Sequence, residues 1–246
     1  MGSSRDVSVD VIKWIALGSM LIDHAALILP SEIRPWLRVI GRLAFPLFCL
    51  ALAANVYRYK VGNLSGTKRY LQALVFFSFL SQLPFVRYFQ NGELNILVTL
   101  SLALPVAVAA HHLTKRAMFF GALSFVIAIL LGDYISYGLI GVLLPAVLVR
   151  TLKASNADTK NIWAFLSCLF AILANTKLIV LFQFSQLALS SQCKLTIAGL
   201  SPLLGLYLLS KRDLLRPVPV VGSWLYAVYP LHLLLLACIG DLSRMK

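Results

Sequence analysis

Long apolar runs recur along almost the whole chain, and they limit the folds that it can adopt. They lie at 11–29, 39–57, 70–86, 94–110, 117–132, 135–150, 161–175, 178–190, 195–210 and 219–239. A helix needs roughly 20 mostly apolar residues to cross a bilayer. The sequence therefore predicts an all-α polytopic transmembrane bundle of nine or ten spans, some of them short or re-entrant.

The composition supports a membrane protein and excludes several other classes. Hydrophobic residues make up 60% of the 246 residues and charged residues only 13%, whereas a soluble domain is typically about 25% charged. The net charge of +13 comes from short basic clusters between the apolar runs, where Lys and Arg act as topology signals. The sequence has no stripe of basic residues of the kind that binds nucleic acid, so no nucleic-acid partner is expected. The four cysteines lack the spacing of a zinc site, so no metal is expected.

The basic clusters predict the orientation of the chain in the membrane. They lie near 58–69, 115–116, 150–160 and 211–216. The first three fall on one side by simple alternation, which places the N-terminus in the cytoplasm of a bacterial inner-membrane protein. The fourth joins them only if 161–190 crosses once, so nine spans fit better than ten. We expect a short polar N-terminus (1–10), one membrane domain (11–240) and a polar tail (241–246). The basic loops can also contact anionic lipids.

The first apolar run, "VIKWIALGSMLIDHAALIL", carries Asp23 and His24 in its outer half. An ionisable group inside a span costs about 2.5–3.5 kcal/mol on insertion scales and usually faces a cavity or a partner. A neutral imidazole accepts a proton near pH 7, and a carboxylate can orient its tautomer. We therefore predict that His24 and Asp23 are catalytic, with His24 as a general base. Asp23 lies about 100° around the helix from His24, so its carboxylate can instead pair with a neighbouring helix.

Other polar residues within the runs are candidates to line an internal cavity with His24. Lys13 precedes His24 by eleven positions, which puts both on one helix face about 16 Å apart. Arg42 lies deep enough to pair with Asp23 or with an anionic ligand, whereas Arg38 can also reach the interface. The remaining candidates for substrate or cofactor binding are Gln82, Asn95, Asp133, Tyr137, Tyr229 and His232. Each can also be a helix-packing contact.

Three segments, "KWIALGSMLIDH", "GRLAFPLF" and "YPLHL", carry a family resemblance. With the intervening runs they make residues 11–239 resemble the TraX family, conjugation proteins whose founding member N-acetylates F pilin. The family is distantly similar to acyltransferase-3 and heparan-glucosaminide acetyltransferase proteins. Acyltransferase-3 proteins carry an Arg eleven positions before a His in the first span. Lys13 stands at the Arg position here and lacks the bidentate guanidinium, and the resemblance implies His24 as the catalytic histidine.

The resemblance implies a membrane N-acetyltransferase that takes acetyl-CoA from the cytoplasm and modifies the N-terminal amine of a pilin subunit. The basic inner face would suit the phosphates of the donor. Two routes stay open, namely direct transfer with His24 as base, and transient acylation of His24. Two other functions also stay open: a proton-coupled transporter or flippase, and a non-enzymatic pilin assembly factor. No repeated halves are visible, which disfavours the transporter.

Overall fold

The computed structural model describes residues 6–176 and 178–244. Within these ranges the chain forms eleven α-helices and no β-strand, so the predicted all-α class is confirmed. The helices are α1 (Val7–Ala25), α2 (Arg34–Gly41), α3 (Ala44–Tyr57), α4 (Ser65–Phe89), α5 (Ile96–His112), α6 (Lys115–Leu131), α7 (Gly138–Lys153), α8 (Ala157–Asn175), α9 (Leu178–Leu181), α10 (Leu189–Ser210) and α11 (Trp224–Arg244).

The surface of the bundle is that of a membrane protein. Five helical segments are long and apolar enough to cross a membrane: Val7–Ile28, Arg34–Tyr57, Lys115–Tyr134, Ala157–Asn175 and Leu189–Ser210. Large apolar side chains project outward from α4 and α6, with Phe79 79%, Leu83 80% and Leu130 77% exposed. Apolar area of this extent is unfavourable in water and favourable in lipid. The fold is therefore a helical membrane bundle, and the count of nine spans stays a prediction.

The run predicted at 178–190 does not form a span of its own. Between the end of α8 and the start of α10, the structure has the four-residue α9 and a 3-10 turn at Phe184–Gln186. A four-residue helix is about 6 Å long, far short of the membrane thickness. This segment therefore stays at one end of the bundle, as nine spans require. Lys177, within this break, lies outside the described residues.

Long-range contacts bring the basic loops to one end of the bundle. Lys13 Nζ, near the start of α1, donates to the carbonyl of Val221 across 3.2 Å. The His111 ring lies 2.8 Å from the carbonyl of Tyr59, and Lys153 Nζ donates to the carbonyl of His111 across 2.7 Å. We call this the inner end, because it holds the loops that the positive-inside rule assigns to the cytoplasm. The opposite end is called the outer end.

The helix α3 lies at the centre of the bundle and packs against α1, α5, α7 and α10. Its side chains Phe45, Leu47 and Leu50 are almost fully buried, as expected for a helix that is apolar on every side. The break between α2 and α3 falls at Arg42, four residues before Pro46. Proline has no N–H to bond the carbonyl of Arg42, and the break falls at this unbonded carbonyl. The interruption places Arg42 inside the bundle.

Candidate active site

A cavity of about 510 Å³ lies at the outer end of the bundle, and we call it the His24 cavity. The end of α1 forms one wall, with α2 and α3 on a second side and α4 and α8 closing it. Its apolar surface includes Met20, Phe48 and Phe89. Its polar lining consists of Asp23, His24, Arg38, Arg42, Asn91, Glu93, Ser136, Tyr137, Asn175 and Tyr229.

His24 is hydrogen-bonded to a second histidine on the last helix. Its Nδ1 lies 2.7 Å from Nε2 of His232, and the two ring planes are within 12° of parallel. A nitrogen–nitrogen distance of 2.7 Å is too short for two rings stacked face to face. The ring centroids are 5.0 Å apart, as expected for rings joined through their edges. The two imidazoles therefore meet edge to edge in a nearly shared plane. Phe89 contacts the His24 ring edge-on at a centroid distance of 5.1 Å.

The hydrogen bonds of His232 determine which nitrogen of His24 carries the proton. His232 Nδ1 lies 2.8 Å from the carbonyl of Val228. A carbonyl only accepts, so this Nδ1 carries a hydrogen and Nε2 of neutral His232 is an acceptor. Nδ1 of His24 must then donate to it, which leaves a lone pair on Nε2 of His24. In the part of the chain that the structure describes, no residue hydrogen-bonds that Nε2.

Arg42 joins three helices beside His24. Its terminal nitrogen Nη2 lies 3.2 Å from Oδ1 and 3.4 Å from Oδ2 of Asp23 on α1. Nη1 donates to Oδ1 of Asn175 on α8 across 3.1 Å, and Nε donates to the carbonyl of Arg38. The pairing of Asp23 with Arg42 is as predicted. Asp23 is therefore engaged with Arg42, and it is His232 that hydrogen-bonds His24.

The Asp23–Arg42 pair depends on a close approach of α1 and α2. A side-chain carbon at Gly41 would overlap the carboxylate of Asp23. Only glycine lets the two backbones come near enough for a guanidinium on the next residue to reach α1. In the "GR" of "GRLAFPLF", Gly41 therefore leaves space for the side chain of Asp23, and Arg42 forms the ion pair with it.

Two further cavities continue from the His24 cavity towards the inner end. The first, of about 310 Å³, is lined by Lys13 and shares Met20, Phe48 and Tyr229 with the His24 cavity. The second, of about 370 Å³, is lined by Arg58 and shares Asn55, Tyr70 and Tyr226 with the first. Shared walls make the three cavities neighbours along the bundle. An elongated molecule that entered beside Arg58 would thus point towards His24.

Comparison with known proteins identifies the family of this chain. The model of the family described as TraX protein matches residues 8–240, which is nearly all of the chain. The chain belongs to the TraX family. It is 31% identical over 169 residues to Protein TraX of Escherichia coli, an alignment that covers 67% of this chain and 63% of that protein. The chain thus matches less than two thirds of the length of that relative.

A second curated relative carries a different name. The protein named probable fimbrial assembly protein FimC, serogroup H1, of Dichelobacter nodosus is 31% identical over 182 residues. That alignment covers 65% of this chain and 68% of the relative. No solved structure matches the chain.

The structure brings most of the predicted polar residues together, but not all of them. Asp23, His24, Arg38, Arg42, Tyr137 and Tyr229 line the His24 cavity, and His232 bonds to His24. Lys13 lies in the adjoining cavity, beyond Met20 and Tyr229. Tyr137 lies against Phe45, with nearly parallel rings and centroids 3.8 Å apart.

Three predicted binding residues of this TraX-family chain lie elsewhere. Asn95 is fully buried, and its side chain caps α5 and donates to Oε1 of Gln82 across 2.8 Å. Gln82 in turn donates to the carbonyl of Glu93. Neither side chain lines the His24 cavity, because their polar atoms are used to close the α4–α5 turn. Asp133 is exposed on a 3-10 turn away from the cavity.

Four polar cavity residues were missed from the sequence, namely Asn91, Glu93, Ser136 and Asn175. Glu93 belongs to the polar turn "QNGE", and nothing local distinguishes it from a solvated loop residue. Its carboxylate accepts from the hydroxyl of Ser136 across 3.3 Å and faces the cavity. Asn175 ends α8 and reaches Arg42 over 133 positions of sequence, a contact that only the tertiary arrangement of the helices reveals.

Proposed function

We propose that this protein is an integral inner-membrane N-acetyltransferase. It would transfer the acetyl group of acetyl-CoA to the N-terminal amine of a pilin subunit. One observation carries the proposal. His24, held by His232 with a free lone pair on Nε2, lines an outer cavity that neighbouring cavities extend to the inner end. The family match and the names of the two relatives favour a pilus or fimbrial subunit as the acceptor.

The transfer needs one base and one acid, and His24 can supply both. The free Nε2 takes one proton from the acceptor ammonium and releases it to solvent, and the amine lone pair then attacks the thioester carbonyl carbon. Nε2 takes the second proton from the amine nitrogen as the carbon–nitrogen bond forms. The carbon–sulfur bond breaks, and the CoA thiolate takes this second proton from Nε2 of His24. The hydrogen bond to His232 keeps Nδ1 protonated throughout, so the ring presents the same nitrogen in each cycle. General acid–base catalysis of this kind contributes about 10²–10⁴ in rate.

The donor would enter from the inner end. Its phosphates need cations, and Arg58 and Lys13 line the two inner cavities in succession. The narrow part between the first inner cavity and the His24 cavity is formed by Met20, Phe48 and Tyr229. These side chains would surround the thioester end of the donor and exclude water from it. Three neighbouring cavities that share lining residues suit an elongated donor.

The acceptor would meet a carboxylate at the outer end. Glu93 lines the His24 cavity, and no cation pairs with it in the described ranges. A carboxylate forms a stronger hydrogen bond with an N-terminal ammonium than with a neutral hydroxyl, because both partners are then charged. Asp23 is already neutralised by Arg42. Glu93 therefore favours an amine acceptor.

Intact mass spectrometry of the cognate pilin tests the proposal. Pilin from cells with the wild-type protein should be heavier by about 42 Da, the mass of one acetyl group on its N-terminus. Pilin from cells that lack the protein, or that carry the His24→Ala variant, should have its unmodified mass. His112→Ala is the matched control, since it alters a buried histidine at the inner end and should leave acetylation intact. Unmodified pilin with the wild-type protein would contradict the proposal. Pilin that binds equally to wild type and His24→Ala, without acetylation, would favour an assembly factor.

A covalent route through His24 predicts a different intermediate. In that route Nε2 attacks the thioester, CoA leaves, and the acyl-imidazole passes its acetyl group to the amine. Incubation with acetyl-CoA alone, followed by rapid denaturation and peptide mass spectrometry, should then show acetyl on the peptide that contains His24. If no acetylated peptide forms while the full reaction proceeds, direct transfer is favoured.

A further inference from the structure

Two cations converge on a small cavity beside the His24 cavity. Arg38 of α2 and Lys194 of α10 both line a space of about 240 Å³, which we call the cation cavity. Both side chains are half-buried. In 6–176 and 178–244, neither has a hydrogen-bonding or ion-pair partner for its charged group. Arg42, which also lines this cavity, is paired with Asp23.

The charge of this region is therefore unbalanced. Three cations face the cation cavity or its wall, and one carboxylate, that of Asp23, compensates them. Positive charges brought together in a membrane bundle repel one another and lose hydration, which is unfavourable unless an anion joins them. Hydroxyls of Thr176 and Ser191 also line the space. The chemistry of the lining suits an oxyanion such as a phosphate group.

An apolar groove continues from the cation cavity along the outside of the bundle. It has a volume of about 610 Å³, and α8 and α10 form its sides with residues such as Cys168, Ile172 and Leu200. Leu195 lines both the groove and the cation cavity. From Ile172 down to Asn161 the groove follows eleven residues of α8, or about 16 Å. The hydrocarbon core is about 30 Å thick, so this length matches one leaflet.

We infer that the cation cavity and the groove together bind one anionic phospholipid of the outer leaflet. Its headgroup phosphate would lie between Arg38 and Lys194, and one acyl chain would follow the groove between α8 and α10. The inference goes beyond the acetyl transfer and does not depend on it. The cavities that would hold acetyl-CoA lie towards the other end of the bundle. The acceptor amine is itself cationic, so the ammonium of Lys194, which does not line the His24 cavity, would repel it from the cation cavity.

Native mass spectrometry of the purified full-length protein in detergent tests this lipid site. The probes are phosphatidylglycerol, phosphatidylcholine and inorganic phosphate, each titrated separately. One phosphatidylglycerol should remain bound, more tightly than phosphatidylcholine, whose choline offsets the phosphate charge. Inorganic phosphate at the same concentration should not displace it, because it has no acyl chain to place in the groove.

Variants assign the binding to the two parts of the site. Lys194→Gln should weaken phosphatidylglycerol binding about fivefold, the factor that corresponds to about 1 kcal/mol per cation near an anionic lipid. Lys194→Arg should retain binding. Lys115→Gln, which removes an exposed lysine at the inner end, is the matched control and should have no effect. Ala164→Trp fills the groove and should weaken binding, whereas Ile162→Trp alters an exposed residue outside it.

Several results would overturn the inference. Equal losses in Lys194→Gln and Lys115→Gln would mean that the lipid responds to overall charge only. Equal affinity for the two phospholipids would remove the role of the cations. Displacement by inorganic phosphate would assign the cation cavity to a free anion. Displacement of the lipid by purified pilin would assign the groove to a protein.

Discussion

Nδ1 of His24 donates to Nε2 of His232 across 2.7 Å, and this bond joins the first and the last helix of the bundle. His232 is fixed in turn by the carbonyl of Val228, one helical turn earlier. The backbone of α11 therefore determines the tautomer of a side chain on α1. A shift of α11 along its axis by even part of a turn would break this arrangement.

The first prediction concerns His232 as a positioning residue. His232→Ala leaves Nδ1–H of His24 without its acceptor, so the ring can rotate and change tautomer. Pilin acetylation should fall about 10²-fold or more, which is the lower range of what a general base supplies. His232→Gln should recover part of the rate, because its amide oxygen can accept the same hydrogen bond. The measurement is kcat and KM with purified protein, acetyl-CoA and pilin.

Its control is Leu235→Ala, a change at an exposed residue of the same helix. A structural role for His232 alone would lower the amount of folded protein and leave the rate per folded molecule unchanged. Equal kcat for wild type and His232→Ala would show that the second histidine does not orient the first.

The second prediction concerns the energy of the Asp23–Arg42 pair. Their side chains are 18% and 22% exposed, so the pair is not fully shielded from polar surroundings. Breaking a fully buried pair costs about 3–5 kcal/mol, and partial exposure lowers this to roughly 1–3 kcal/mol. A double-mutant cycle of Asp23→Asn and Arg42→Gln, followed by unfolding in mixed micelles, measures the coupling. Additive effects of the two changes would mean that the pair contributes no interaction energy.

The third prediction compares two glycines. Gly41→Ala should lower the unfolding temperature, because the new methyl group displaces the carboxylate of Asp23. Gly18→Ala is the matched change, in α1, where the added carbon meets nothing within 4 Å. It should be neutral or stabilising by up to about 1 kcal/mol, since alanine is the better helix former. Similar melting curves for both variants would show that α1 and α2 can separate without cost.

The fourth prediction is the orientation of the bundle. A cysteine at Lys211 should react with a membrane-impermeant reagent only from the cytoplasmic side, and a cysteine at Glu32 only from the periplasmic side. Both positions are exposed, and they lie in loops at opposite ends. Labelling of intact cells and of inverted vesicles gives the two measurements, with the native cysteines replaced. Reaction of position 211 from the periplasm would rule out nine spans with a cytoplasmic N-terminus.

The sequence predicted the parts of this fold that depend on local pattern. The apolar runs other than 178–190 became long helices, and the depth of Arg42 in its run correctly pointed to Asp23. The bond from His24 to His232 spans 208 positions, and no periodicity indicates which of several buried polar residues meet. Asn95 shows the opposite difficulty. An asparagine before an apolar run is a helix-cap signal, but within a row of candidate spans it also resembles a cavity residue.

The bond between α1 and α11 also bears on how the protein is made. Ribosomes add about 5–20 residues per second, so roughly 10–40 s separate the synthesis of the two histidines. During that interval α1 is already in the membrane with a histidine that has no partner. The hydrogen bond between the two histidines therefore forms last, when α11 inserts beside α1. A nascent chain that stalls before α11 would occupy the membrane with a His24 cavity that lacks His232.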